Sequence, residues 1–184
     1  MKCYHIRFSM GSKSDWKMAN VFMEIMKKVG IRSHVSVASC HWGAGEEFTQ
    51  FTLGIKEKII VTMGGLSFAK SGVMESIIRN AERFEKLVVG IPLDEAAMSA
   101  IQDLPPGVPV LTCGFNKKDV TISITNAALM VARLVGRTDL EVRQKIAQYY
   151  VAKRKEKGIV EDIKLDEDGF IPDLKPKKST LIIG

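Results

Sequence analysis

The chain has 184 residues, enough for one domain with a full hydrophobic core, and its 46% apolar and 26% charged residues are ordinary for a globular protein. The net charge is +6, but much of the excess lies in "KRKEK" (153–157) and "KPKK" (175–178), which read as a solvated helix end and a tail. No aromatic-rich basic stripe points to nucleic acid, and no apolar run is long enough to span a membrane.

The predicted elements alternate strand and helix. Cys3–Ser9 reads as a strand that runs into "GSKSD" (11–15). Asp15–Val29 reads as a helix, with Met18, Phe22, Ile25, Met26 and Val29 on one face and Gly30 at its C-terminal end. Ser33–Ala38 alternates as a strand, and Glu46–Leu53 is a short helix. Lys58–Met63, "KIIVTM", is a β-branched run of the kind found in buried strands. Gly72–Ala81 follows as a helix, Leu87–Ile91 as a strand stopped by Pro92, and Glu95–Gln102 as a helix. "LPPGVP" (104–109) is a rigid turn, and Val110–Cys113 reads as a fifth strand. Thr121–Val135 and Leu140–Lys157 close the series as helices. The alternation predicts a three-layer α/β/α sandwich with a parallel sheet, flavodoxin-like or Rossmann-like, with an extra C-terminal helix and tail. The expected organisation is one domain over 1–157 and an arm or tail over 158–184.

Cys3, Cys40 and Cys113 form no CxxC pair, so they read as free thiols of a reducing compartment. The N-terminus lacks a basic region followed by a long apolar stretch, and the expected location is cytoplasmic.

Open parallel sheets bind ligands beyond the C-terminal ends of their strands. Three loops with unusual content leave those ends: "GSKSD", "SCHWGAG" (39–45) and "GGLSFAKSG" (64–72). The first offers amides and the Ser12 and Ser14 hydroxyls, which suit a phosphate, and the Asp15 carboxylate, which suits a sugar hydroxyl or an amine and would repel phosphate. It also has the residues of a simple helix start. It matches neither a phosphate-binding Walker loop nor the dinucleotide glycine fingerprint. The second loop carries His41, whose imidazole is the natural candidate for a general acid or base. His5 and His34 fall inside strands and read as structural. The third loop resembles a flexible anion loop or lid, in which Lys70 can neutralise a phosphate or a carboxylate or stand as a surface lysine.

Taken in order, these pieces resemble the carboxylases and mutases of aminoimidazole ribonucleotide in purine synthesis. The family's G-S-x-S-D is Gly11, Ser12, Lys13, Ser14 and Asp15; its S-A-H followed by a basic residue is Ser39, Cys40, His41 and Trp42. A double-glycine loop, Gly90-Ile91-Pro92, the turn Pro105–Pro109 and "NAAL" (126–129) follow, so the resemblance covers residues 4–136. The loop Ser67-Phe68-Ala69-Lys70-Ser71-Gly72 lacks the H-L-P-G of the mutase branch and is closer to the S-N-A-L-S-G of the direct carboxylases. Trp42 stands where the family has a basic residue, and the segment from Pro92 to Leu104 is shorter than usual.

The resemblance implies reversible carboxylation of aminoimidazole ribonucleotide by carbon dioxide, with no metal or organic cofactor. It implies His41 as the catalytic proton carrier, and Gly11, Ser12, Ser14, Asp15, Ser39, Trp42, Gly64, Gly65, Ser67 and Lys70 as substrate-binding residues. The implied partners are a ribonucleotide, carbon dioxide and other copies of the chain in a homo-octamer. Alternatives are the mutase reaction on the N-carboxy compound, a divergent relative acting on another heteroaromatic nucleotide, and a non-catalytic nucleotide-binding module.

Overall fold

The structure, a computed structural model, describes residues 5–43 and 45–157. Four parallel strands, β1 (Ile6–Met10), β2 (Ser33–Val37), β3 (Ile59–Gly64) and β4 (Leu87–Pro92), lie in the order β2-β1-β3-β4. The helices are α1 (Trp16–Lys28), α2 (Glu46–Leu53), α3 (Lys70–Asn80), α4 (Glu95–Gln102), α5 (Val120–Val135) and α6 (Leu140–Lys157). This is the predicted sandwich of helices around a parallel sheet.

Side chains alternate across the strands, and each face of the sheet has its own core. Ile6, Phe8 and Met10 of β1 and Val61 and Met63 of β3 meet Phe22 and Met26 of α1 and Ile124, Ala128 and Val131 of α5. The Phe8 and Phe22 rings are 4.9 Å apart. On the other face Ile60 and Val88 meet Phe48 of α2 and Met74 and Ile78 of α3. Each large side chain buried this way contributes roughly 1.5–3 kcal/mol.

The strand order places a switch point between β1 and β3: the chain leaves β1 towards β2 on one side and resumes at β3 on the other. Register sets Met10 beside Val37 and Met63, and Gly64 beside Pro92. The loops after all four strands therefore emerge at nearly one level.

Two expectations are corrected. The fifth strand, Val110–Cys113, is not formed: a single bridge joins Leu111 to Val89. Pro109 has no N–H for a ladder, and Gly114, at φ 75°, turns the chain away. Helix α3 begins at Lys70, two residues before its expected start, so Lys70 belongs to a helix and not to the loop. Smaller shifts occur at α1, where a 3-10 turn over Lys13–Asp15 precedes the helix, and at the ends of the strands.

Packing divides the chain into a unit through Tyr149 and a second from Tyr150. In the first, Val142 and Ile146 of α6 join the α1–α5 core. In the second, Lys153 and Glu156 pair at 2.6 Å within the last turns of α6. Cys3 and the expected arm over 158–184, with its "KPKK" and terminal "LIIG", lie outside the described residues. No helix among the described residues is long and apolar enough to cross a membrane.

Candidate active site

The loops after β1, β2, β3 and β4 surround a cleft of about 570 Å³ at the switch point. Ten of the predicted site residues line it: Gly11, Ser12, Asp15, Ser39, His41, Trp42, Gly64, Gly65, Ser67 and Lys70. Ser14 does not; its hydroxyl donates to Ser12 Oγ at 2.9 Å on the outer side of the turn.

The first loop is a capping box. Ser12 Oγ accepts from the Ser14 amide at 3.2 Å, and Asp15 Oδ2 accepts from the Ser12 amide at 3.1 Å. The helix-start reading of "GSKSD" is met, and the same loop lines the cleft. That bond holds the Asp15 carboxylate at the cleft and leaves it further acceptor sites, since a carboxylate carries more than one bond occupies. Gly11 is tied back to the sheet by its amide, which donates to the Met63 carbonyl at 3.2 Å.

The second loop begins with Ala38, whose amide donates to the Met10 carbonyl at 3.0 Å. Gly43 N then donates to the Ser39 carbonyl at 3.0 Å and closes a turn that holds His41 at the cleft wall. His41 is exposed, and its Nδ1 lies 3.8 Å from Cys40 Sγ. Burial raises the Cys40 thiol pKa, against a smaller lowering by Lys70. Trp42 projects at the rim, 94% exposed. The other two histidines stand elsewhere. His5 accepts from the Arg32 amide and reaches Asp139 at 3.4 Å, while His34 pairs with Glu57 at 3.3 Å.

The third loop is tight where the sequence suggested a lid. A Cβ on Gly64 would come 2.8 Å from the Phe68 ring, and one on Gly65 2.5 Å from Asp94 Oδ2. Phe68 is buried against Ala97 and Ile101 of α4. Leu66 adopts φ 46°, a left-handed conformation uncommon for a side chain of its size. Asp94 holds it there. One oxygen of Asp94 accepts from the Leu66 amide at 2.7 Å, while the other caps α4 through Ala97 N at 2.7 Å.

Lys70 occupies the first turn of α3. Met74, four residues on, points into the core beneath the sheet, so Lys70 and Ser71 share that inward stripe. Lys70 is 3% exposed, and its Nζ has no hydrogen-bond partner among the described residues. Burial pulls its pKa down to about 7, against partial upward pulls from the Cys40 thiol and the Asp15 carboxylate.

Sequence reasoning missed four wall residues, Leu66, Phe68, Leu93 and Asp94, and treated Cys40 only as a bland thiol. Asp94 carried a signal: an aspartate just after a buried strand and just before a helix. Among the described residues no group of three or more His, Cys, Asp or Glu is placed to hold a metal ion.

Comparison with known proteins adds the following. The family profile described as AIR carboxylase matches residues 5–156. The N5-carboxyaminoimidazole ribonucleotide mutase of Methanocaldococcus jannaschii is 29% identical over 164 residues, covering 86% of this chain and 95% of that protein. The enzyme of the same name from Escherichia coli K12 is 28% identical, covering 80% and 86%. The phosphoribosylaminoimidazole carboxylase of Saccharomyces cerevisiae is 26% identical over 88% of this chain, which corresponds to 27% of the yeast protein. The crystal structure of Treponema denticola PurE has the same fold, with a TM-score of 0.65 at 19% identity, covering 83% of this chain and 92% of that one.

Proposed function

The chain belongs to the AIR carboxylase family, and on that footing we propose that it carboxylates aminoimidazole ribonucleotide reversibly with carbon dioxide in purine synthesis. The observation that carries the proposal is the meeting of His41, Asp15 and the Gly64-Gly65 backbone around one cleft at the switch point. In that cleft the amino group of the imidazole pushes electron density onto the neighbouring ring carbon, which attacks carbon dioxide. The new tetrahedral carbon then loses its proton to His41, and the ring regains aromaticity. In reverse, His41 returns the proton and carbon dioxide leaves. Such acid–base assistance is typically worth ~10²–10⁴-fold.

Asp15, fixed by the capping box, orients a hydroxyl or amine of the nucleotide. Gly64 and Gly65 line the cleft and let the backbone approach the ring, and a Cβ at either would collide with the Phe68 ring or the Asp94 carboxylate that shape the loop. Ser12, Ser39 and Ser67 supply hydroxyls around the ligand's polar groups, and Trp42 offers a flat apolar face at the rim. Positioning counts heavily here, since carbon dioxide is small and weakly held.

The second reading is the mutase reaction, in which the N-carboxy compound is the carbon dioxide donor. It is favoured by the names of the Methanocaldococcus and Escherichia relatives. The direct reading is favoured by the loop Ser67–Gly72, in which Ala69 and Lys70 stand in place of a histidine and its neighbour. Parallel assays decide. We expect faster product formation from aminoimidazole ribonucleotide and carbon dioxide than from the N-carboxy compound; turnover of the N-carboxy compound alone would reverse the assignment.

A further inference from the structure

We propose that Lys70, backed by the hydroxyls of Ser71 and Ser9, is a carboxylate-binding subsite in the floor of the cleft, and that the carboxylate enters together with a proton. The proposal rests on the carboxylation reading for the identity of the natural ligand, but the subsite itself is argued from the fold.

Three buried polar side chains lie on one side of the sheet without a hydrogen-bond partner among the described residues: Lys70 Nζ, Ser71 Oγ and Ser9 Oγ. Their placement follows from periodicity. Phe8 and Met10 face α1 and α5, so Ser9 points to the opposite face, which α2 and α3 cover. It lies in register with Thr62 at the cleft end of the sheet. Ser71 and Lys70 sit three and four residues before Met74, on the stripe of α3 that covers that face. An unpaired polar group in a protein interior costs about 1–3 kcal/mol, and a charged one costs more. Lys70, the one of the three that lines the cleft, matches a ligand that supplies acceptors.

The groups around Lys70 sharpen the choice of ligand. The Cys40 thiol faces it from the β2 loop and the Asp15 carboxylate from the β1 loop. His41 and Asp94 line the same cleft, and Glu75 lies further along α3. Neither of the two groups that act on Lys70 bonds to it, and at pH 7 it is shared between the amine and the ammonium form. An anion placed against Nζ restores the ammonium, and the proton comes from solvent: amine plus proton plus carboxylate gives an ammonium–carboxylate pair. A carboxylate is flat and singly charged. A phosphate monoester is bulkier, more strongly hydrated and largely dianionic, a poor match to a nitrogen with almost no accessible surface. Lys70 is also neighbour to Cys40, the residue next to His41, so a carboxylate held there lies close to the proton carrier.

The test uses the full chain, labelled with carbon-13 at lysine Cε and titrated by NMR. The Lys70 signal is identified by its loss in Lys70→Met, an apolar replacement of similar length. We expect Lys70 to titrate near pH 7 alone, and formate to move its midpoint up by about one pH unit, equivalent to roughly tenfold tighter formate binding by the protonated form. Inorganic phosphate at equal ionic strength should leave it in place. A midpoint that formate does not move, or that phosphate moves as far, overturns the subsite. The natural-ligand arm is separate. A protein inactive on aminoimidazole ribonucleotide whose Lys70 still answers to formate retains the subsite and loses only the substrate assignment. An active protein whose Lys70 ignores formate loses the subsite alone.

Discussion

At the residue scale, His41 and Lys70 carry different kinds of information. The sequence exposes His41 because a histidine between small residues at a strand end has few structural duties, and the structure sets it at the cleft wall. We expect His41→Asn to keep the fold, since the side chain is exposed, and to lower turnover by about 10²–10⁴-fold. A variant that turns over like the wild type removes the proton-transfer role. Lys70 was legible only as a charge near a candidate anion site. Its burial depends on the angular position of α3, which composition does not encode. Because its pKa falls from 10.5 to about 7 on folding, the unfolded chain binds more protons between those values. Stability in the free protein therefore rises with pH through that window, and the full cost of the buried amine is felt at and below pH 7. Lys70→Met should be more stable than wild type at pH 6 by on the order of 4 kcal/mol, with the gap closing by pH 10. Urea unfolding at the two pH values measures it; a gap of constant size would mean that Lys70 does not titrate as described.

At the element scale, the repeating strand–helix pattern was legible because β3 and β4 are β-branched runs and α1 and α5 have clear apolar faces. The start of α3 was not. Its N-cap position is Ala69, which has no side-chain acceptor, so nothing in the local sequence marks the first turn. The fifth strand failed for the opposite reason: Val110–Cys113 looks like a strand locally, but Pro109 and Gly114 deny it a ladder. The β4–α4 junction shows how one side chain can serve two elements. Asp94 caps α4 and fixes the left-handed Leu66 in the loop after β3. Replacing it with Ala should cost about 1–2 kcal/mol from the cap alone. It should also loosen the Gly64–Phe68 turn, so the Michaelis constant rises. Thermal unfolding with steady-state kinetics checks both effects. A stability loss with unchanged kinetics would confine Asp94 to capping.

At the scale of the whole molecule, several large apolar side chains remain uncovered. Trp16, Phe84 and Leu140 are exposed, as are Val35 and Val37 on the edge strand β2. A chain of this composition gains by covering such surface with copies of itself. We expect a homo-oligomer, an octamer by family likeness, with cleft rims meeting neighbouring subunits. Light scattering at micromolar concentration measures the mass directly, and a stable monomer contradicts the expectation. The most direct test of the central claim is the turnover of aminoimidazole ribonucleotide with carbon dioxide, followed in both directions for wild type and for His41→Asn. We expect carboxyaminoimidazole ribonucleotide to form and to release carbon dioxide with the wild type, and both rates to collapse together in the variant. Folded wild-type protein that neither forms nor decarboxylates this compound would contradict the claim.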